Sequence, residues 1–460
     1  MRYFITFFLY SQFIFGNESS ILATIKKRQF KVNNLGIYVE QSGKKLVEID
    51  ANKKMVPASL TKIITGAAIL KHFPLNFKFT TELKSKADIE NGILKGDLCL
   101  VGGGDPSFVS EKMWFLVNEF SRNQIKEISG NIIVDSQYFD SEIYDKGRDK
   151  GRVDRAFDAP ISATSFNWNS ANVFVRPAKN PGESAVVFID PENRYLELEN
   201  NTKTGNEVTK TNIEVSRVTE KNKDKIIVSG QIKLNSPELV FYKGITDPNS
   251  WSGEHLFQFL KQRDIQVKGK VLSGNCDQGA KTFAKVDSKN LVEMVSDMLK
   301  FSNNYVAEML VKNLGAQIEK PGKMSNGILK LEEYLTSIGI EKSDYVLENV
   351  SGLTRENKFT AKQLAKVLSA IKSDYNIYPE FLSGLPVAGI DGTLKNRLKN
   401  QSSIVVRAKT GYLDGVIGLA GYIAKPNQDP LIFVFMYNGG VQDGLMARGL
   451  FDELIAILKK

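Results

Sequence analysis

Three short motifs, far apart along the chain, carry residue types that together could make an activated serine nucleophile. Ser59 and Lys62, in "VPASLTKIITGAAIL", stand three positions apart where an apolar run begins. A serine hydroxyl is a weak nucleophile at neutral pH and needs a base within hydrogen-bond reach. On a helix, positions i and i+3 share a face, so Lys62 can lean back toward Ser59 beside the positive end of the helix dipole. Burial and a second cation would lower the lysine pKa and leave a neutral amine to act as base. Lys409, followed by Thr410 and Gly411 in "RAKTGYLDG", can supply that cation. In "FSNNYVAEML", Ser302 and Asn304 place a hydroxyl and an amide in a break between two helical runs.

Each motif alone is weak. Ser-x-x-Lys recurs at Ser42–Lys45 and Ser369–Lys372, Lys-Thr-Gly at Lys203–Gly205, and Ser-x-Asn at Ser165–Asn167 and Ser170–Asn172. Order and context are what set the trio apart: a serine heading an apolar helix, a break between helices, and a strand-like run ("IVVRAKTG") entering a glycine turn. Other chemistries have little to stand on. Two histidines, His72 and His255, argue against a multi-histidine metal site and leave few candidates for a Ser-His-Asp triad. His72 closes the apolar helix, where the dipole favours it. "GDLCLVGGGDPSF" has three glycines in a row but no Gly-Lys-Ser/Thr, so Asp105-Pro106 reads as a turn rather than part of a phosphate loop. Lysines spread along a chain of net charge +9 fit an anionic polymer or a membrane surface better than nucleic acid. Asp391 in "GIDGT" reads as a turn residue, and Arg407 as a structural neighbour of Lys409.

The elements that must position these residues form an α/β (α+β) pattern. At about 150 residues per domain, 460 residues suggest roughly two to four domains. "MRYFITFFLYSQFIFG" resembles a secretory signal peptide of about 20 residues, cut between about Gly16 and Ala23, with an uncleaved N-terminal anchor as the alternative. Residues 34–50 alternate around a Ser-Gly turn as a hairpin. "FSRNQIKEISGNIIVD" and "FLKQRDIQVKGKVLSG" echo one another as helix end, turn and strand. Between them, from about 165 to 240, short alternating stretches make an all-β module. Helical spacing returns after about 285, followed by strand-like runs and a last helix. The expected plan is a main domain of residues 24–80 and 283–460, with an antiparallel sheet flanked by helices. Into it is set an α/β insert (81–165 and 240–282), which itself carries a nested β-rich module (166–239). Cys99 and Cys276 could join in an exported protein, but two cysteines make no disulfide scaffold and neither has a metal-type neighbour.

The ordered trio is the signature of penicillin-recognising active-site serine enzymes. With the long insert between its first two motifs and the stretches "GDLCLVGGGDP", "APISATSFNWN", "VSGLTR" and "LPVAGIDGTL", the chain resembles the class C low-molecular-mass penicillin-binding proteins. These are D-alanyl-D-alanine carboxypeptidases and endopeptidases. The resemblance spans about residues 30–455 and departs from the common pattern only at Asn303, the variable middle position, where Asp is frequent. It implies a transpeptidase/β-lactamase-like domain with nested inserts, acting on peptidoglycan stem peptides in the periplasm or cell envelope and inhibited by β-lactams. It casts Ser59 as the acylated nucleophile, Lys62 as its base and Ser302 as a proton relay. Asn304, Lys409, Thr410 and Gly411 become substrate-binding, and the N–H groups of Ser59 and Tyr412 an oxyanion hole. No metal or organic cofactor is implied. A β-lactamase or esterase would share these motifs and differ in deacylation rate, whereas a non-catalytic wall-binding protein would not need a serine paired with a base.

Overall fold

A computed structural model describes residues 18–145, 154–220, 223–399 and 404–459. Most of the expected leader lies outside these residues. Helix α1 (residues 18–27) buries Ile21 and Ile25 in the same apolar cluster as Leu454 and Leu458. A cut near Ala23, at the far end of the expected window, would fall within it. Among the described residues, no helix is long and apolar enough to cross a membrane.

Strands β1 (Leu35–Gln41) and β2 (Lys44–Ile49) pair as the expected hairpin. Helix α2 (Thr61–His72) follows, with Thr61 to Leu70 all buried. A helix apolar on every side belongs in an interior. The serine heads it from one turn further out than expected: Ser59 lies in a 3-10 turn, Ala58–Leu60, that runs directly into α2.

The chain then leaves for the inserts. β3 (Thr80–Ser85), β4 (Ile89–Glu90), β5 (Ile93–Leu94) and β6 (Leu98–Val101) lead to α3 (Ser110–Ser121), β7 (Glu127–Ile128) and β8 (Ile132–Asp135). Six longer strands follow: β9 (Ser170–Arg176), β10 (Val186–Asp190), β11 (Leu196–Thr204), β12 (Glu214–Glu220), β13 (Lys223–Ile232) and β14 (Leu239–Gly244). They form two three-stranded sheets, β10-β9-β14 and β11-β13-β12, sharing a core of Val173, Val175, Ile226 and Val228. Helix α4 (Pro248–Lys261), β15 (Gln266–Val267), β16 (Val271–Ser273) and β17 (Lys281–Asp287) return the chain. The repeated helix–turn–strand units become spatial neighbours: β15 pairs parallel with β7, and β16 with β8. Cys99 on β6 is joined to Cys276 just beyond β16. Since β17 pairs with β3, and β14 with β9, the expected boundaries at 283 and 240 each fall inside a strand. The glycines of "VGGGD" serve close packing. A Cβ on Gly102 would lie 2.2 Å from the Ala163 carbonyl oxygen, and one on Gly103 2.3 Å from that of Thr80.

The last third supplies α5 (Leu291–Lys300), α6 (Asn304–Ile318), α7 (Met324–Ser337), α8 (Ala361–Ser373) and α9 (Tyr378–Gly384), then β18 (Val405–Leu413), β19 (Val416–Ala424), β20 (Leu431–Asn438) and α10 (Gly444–Leu458). The hairpin joins the terminal strands in one antiparallel sheet of order β18-β19-β20-β1-β2. Successive residues of its central strands face opposite ways, as the two-residue period of a strand requires. Thus Ala420 packs among α2 and the helices α5–α8, whereas Leu419 packs with α1 and α10. The sheet is a middle layer between two helical ones.

Candidate active site

The site forms where the first turn of α2 meets the edge strand β18 and the break between α5 and α6. Glycine makes the approaches possible. A Cβ on Gly411 would stand 2.9 Å from the Pro57 carbonyl oxygen, so β18 lies directly against the Ser59 turn. Gly352 has φ +80, and a Cβ there would meet the Ala58 oxygen at 2.0 Å. The turn itself is strained: Ala58 has φ 48 and Ser302, across the cleft, φ 56. Left-handed conformations at non-glycine residues concentrate at functional sites.

Lys62 is fully buried. Its Nζ lies 3.2 Å from Ser59 Oγ and donates to Asn304 Oδ1 at 2.7 Å and to the Ser351 carbonyl at 2.5 Å. These acceptors point the amine at the half-exposed serine hydroxyl. Asn304 Nδ2 in turn donates to the Phe157 carbonyl at 3.3 Å, tying the insert to the site. Lys409 is fully buried too, and donates to Ser302 Oγ at 2.7 Å and to the Thr410 carbonyl at 2.8 Å. Burial, and then the neighbouring charge of Lys62, hold the Lys409 ammonium well below the usual lysine range. Thr410 Oγ1 donates to Thr393 Oγ1 at 2.9 Å. Tyr412 follows Gly411 on the same strand with its ring half exposed.

All three motifs therefore meet, while the Ser-x-x-Lys and Lys-Thr-Gly duplicates lie elsewhere. Ser42 turns the β1–β2 hairpin, Lys372 pairs with Asp429, and Lys203-Thr204 ends β11. His72 closes α2 against the Lys330 carbonyl. His255 is buried in the insert against Trp251 and Phe166. Asp391 accepts from Val387 N at 2.7 Å and from Lys300 Nζ at 2.6 Å, holding a turn, and Arg407 donates to the Leu382 carbonyl.

Reading the motifs alone misses four contributors: the Ser351 carbonyl, the Phe157 carbonyl, Thr393 and the buried network beneath. In that network Ser351 Oγ donates to Glu308 and Asn349, and Asn357 Nδ2 donates to Thr61 Oγ1 and to the Asn349 carbonyl. Thr393 and Ser351 lie in "GIDGTL" and "VSGLTR", so their segments stand out. A backbone carbonyl, by contrast, leaves no mark in side-chain identity.

A serine with a buried lysine at the head of an interior helix, faced by a second serine between two helices that pairs with a lysine on the edge strand of an antiparallel sheet, defines a serine hydrolase of the penicillin-binding, β-lactamase-like class. The chain is 30% identical over 430 residues to a D-alanyl-D-alanine carboxypeptidase of Actinomadura sp. (strain R39), an alignment covering 88% of this chain and 79% of that one. Its structure is similar to that of penicillin binding protein 4 (dacB) from Haemophilus influenzae, with TM-score 0.78 at 24% identity, over 92% of this chain and 96% of that one. A second structure of that protein, complexed with a β-lactam, gives TM-score 0.72 at 24% identity and the same coverage. Residues 18–459 match the D-Ala-D-Ala carboxypeptidase 3 (S13) family, and the chain belongs to it. The family expected from the ordered trio is the one found.

Proposed function

We propose that this protein is a serine D-Ala-D-Ala carboxypeptidase and endopeptidase, which hydrolyses peptidoglycan stem peptides and their cross-links in the cell envelope and is acylated by penicillin. The observation that carries the reading is Lys62 Nζ, buried and 3.2 Å from Ser59 Oγ, within a chain of the S13 family. Lys62 takes the Ser59 proton as Oγ attacks the penultimate D-Ala carbonyl carbon. The N–H groups of Ser59 and Tyr412 face the oxygen that becomes negative. When the tetrahedral centre collapses, the C–N bond breaks, and the leaving amine receives a proton through Ser302, which Lys409 holds. Water then attacks the acyl-serine ester, giving a free carboxylate and restoring the serine hydroxyl. Asn304 aligns the substrate backbone. Lys409 and Thr410 attract the terminal carboxylate, and Gly411 lets the strand come close enough. The inserts, residues 80–287 in this division, wall one side of the cleft.

Intact-protein mass spectrometry with benzylpenicillin tests the reading. A long-lived adduct on the native protein, absent from Ser59→Ala, is expected. Hydrolysis of defined stem peptides by the variant should fall by about 10^4-fold or more. Full activity of Ser59→Ala on those peptides would remove Ser59 from the mechanism.

A further inference from the structure

A cleft of about 610 Å³ opens from Ser302, Asn303 and Asn304 toward the inserts. That volume lies within the range of about 300–1,000 Å³ typical of sites that bury drug-sized ligands. The carboxypeptidase reaction releases only a free D-alanine on the amine side, a group far too small to need it.

The far wall is built with care. Asn167, Trp168 and Asn169 have φ 46, 53 and 49, three consecutive non-glycine residues in the left-handed region. Left-handed conformation costs roughly 1–2 kcal/mol per residue, and such residues normally occur singly. Here a hydrogen-bond lattice holds the turn. Asn169 Oδ1 accepts from Phe166 N, and its Nδ2 donates to the Pro160 carbonyl and to Ser165 Oγ. Asn167 Oδ1 accepts from Ser110 N, and its Nδ2 donates to Ser110 Oγ. What this strained turn delivers to the cleft is the Trp168 ring, 47% exposed. Strain that is over-determined by its surroundings and ends in an exposed aromatic points to a binding role. The register of β14, β9 and β10 sets Tyr242, Asn172 and Asp190 side by side along the same wall. Phe157 and Phe301, 43% and 66% exposed, stand nearer Ser302.

We infer that this cleft is the leaving-side subsite, which holds the amine-side stem peptide of a cross-linked substrate, with Trp168 as its platform. The inference rests on the proposed function, because it is Ser302 that hands the proton to the departing amine. The amine-side strand must therefore begin at Ser302, and the cleft runs on from that residue. Aromatic faces interleaved with amides suit a peptide, which offers methyl and methylene groups between its own amides.

The test compares kcat/KM on a linear pentapeptide and on a cross-linked peptide dimer, with the benzylpenicillin acylation rate measured alongside. Trp168→Ala should lower the ratio of cross-linked to linear kcat/KM by about tenfold or more. Trp168→Phe should restore most of that ratio. Trp114→Ala, an exposed tryptophan outside the cleft, should leave it unchanged. An unchanged ratio in Trp168→Ala overturns the subsite. So does a parallel loss on both peptides and on penicillin, which would make the strained turn merely structural. If the native protein neither reacts with penicillin nor cleaves either peptide, the proposed function itself fails and the subsite with it.

Discussion

Two clusters of buried charge sit in different parts of the molecule and are built on opposite principles. In the β-rich insert, Arg217 and Asp224 pair at 3.0 Å with side chains 3% and 0% exposed. Asp224 also accepts from Tyr195 Oη at 2.8 Å, Thr246 N at 2.7 Å and Thr219 Oγ1 at 2.7 Å. Each of the two charges there has its opposite beside it. At the catalytic cleft, Lys409 is just as buried, yet among the described residues it has no ion pair, and its side-chain partner is the Ser302 hydroxyl. An ammonium held without a counter-ion is costly for the free protein and is relieved when an anion arrives. The difference separates a charge pair that holds the fold from a charge that the proposed mechanism keeps for a substrate.

Swapping the cations for methionine should break the two clusters in opposite ways. Lys409→Met is expected to lower kcat/KM on stem peptides by about 10²–10³-fold, because it removes both the attraction for the terminal carboxylate and the hold on Ser302. Its urea midpoint should hold or rise, because the lost charge had no partner. Arg217→Met should leave the kinetics of the remaining folded enzyme near native and cost about 3–5 kcal/mol in urea unfolding, since Asp224 is stranded. Adding Asp224→Leu should recover much of that loss. Equal destabilisation by both single variants would mean that Lys409 is also a structural charge.

A smaller contrast lies inside the insert. Burial pushes the His255 imidazole down to about 4, against the pull of the Trp251 and Pro191 carbonyls. Burial pushes the Asp105 carboxyl up to about 6, despite hydrogen bonds from Ser107. Below about pH 6.5 the unfolded chain protonates this histidine while the folded one does not, so stability falls with acid until about pH 4. The full effect is about 3 kcal/mol. Asp105 acts with the reverse sign: from about pH 6 down to 3.8 the folded chain binds the extra proton and acid stabilises it. Urea titrations at several pH values should show His255→Gln losing less stability than the native protein on acidification, and Asp105→Asn losing more. Unchanged slopes would show that these groups titrate alike in both states.

The sequence was most legible where chemistry demands a particular side chain. Ser59, Lys62, Ser302, Asn304 and Lys409, which the structure brings together, stood out because the proposed nucleophile, base, relay and cation each have few substitutes. The hairpin, the interior helix α2 and the terminal strands followed from hydrophobic period. The expected boundaries at 240 and 283 fall inside β14 and β17, because a strand shows its period but not its partner, and pairing decides which sheet owns it. The strained turn at Trp168 was equally hidden. Its stretch "APISATSFNWN" carried family resemblance, but no residue type announces three successive left-handed conformations, least of all tryptophan.

Thr393 is the mildest way to probe the unanswered cation. Its hydroxyl accepts from Thr410 Oγ1 at 2.9 Å, and it stands exposed at the rim of the site, on the turn that Asp391 and Lys300 secure. In the proposed mechanism, holding that hydroxyl sets the orientation with which Thr410 meets a carboxylate drawn in by Lys409. Thr393→Val keeps the shape and removes the acceptor, at the cost of one neutral hydrogen bond, about 1 kcal/mol. The expected outcome is a KM roughly fivefold higher with kcat little changed, because substrate and transition state both carry the carboxylate and lose the same contact. Thr393→Ser should restore the native KM. A fall in kcat with KM unchanged would instead tie Thr410 to the reacting carbonyl, and Lys409 would then hold its charge for the transition state rather than for the substrate's terminus.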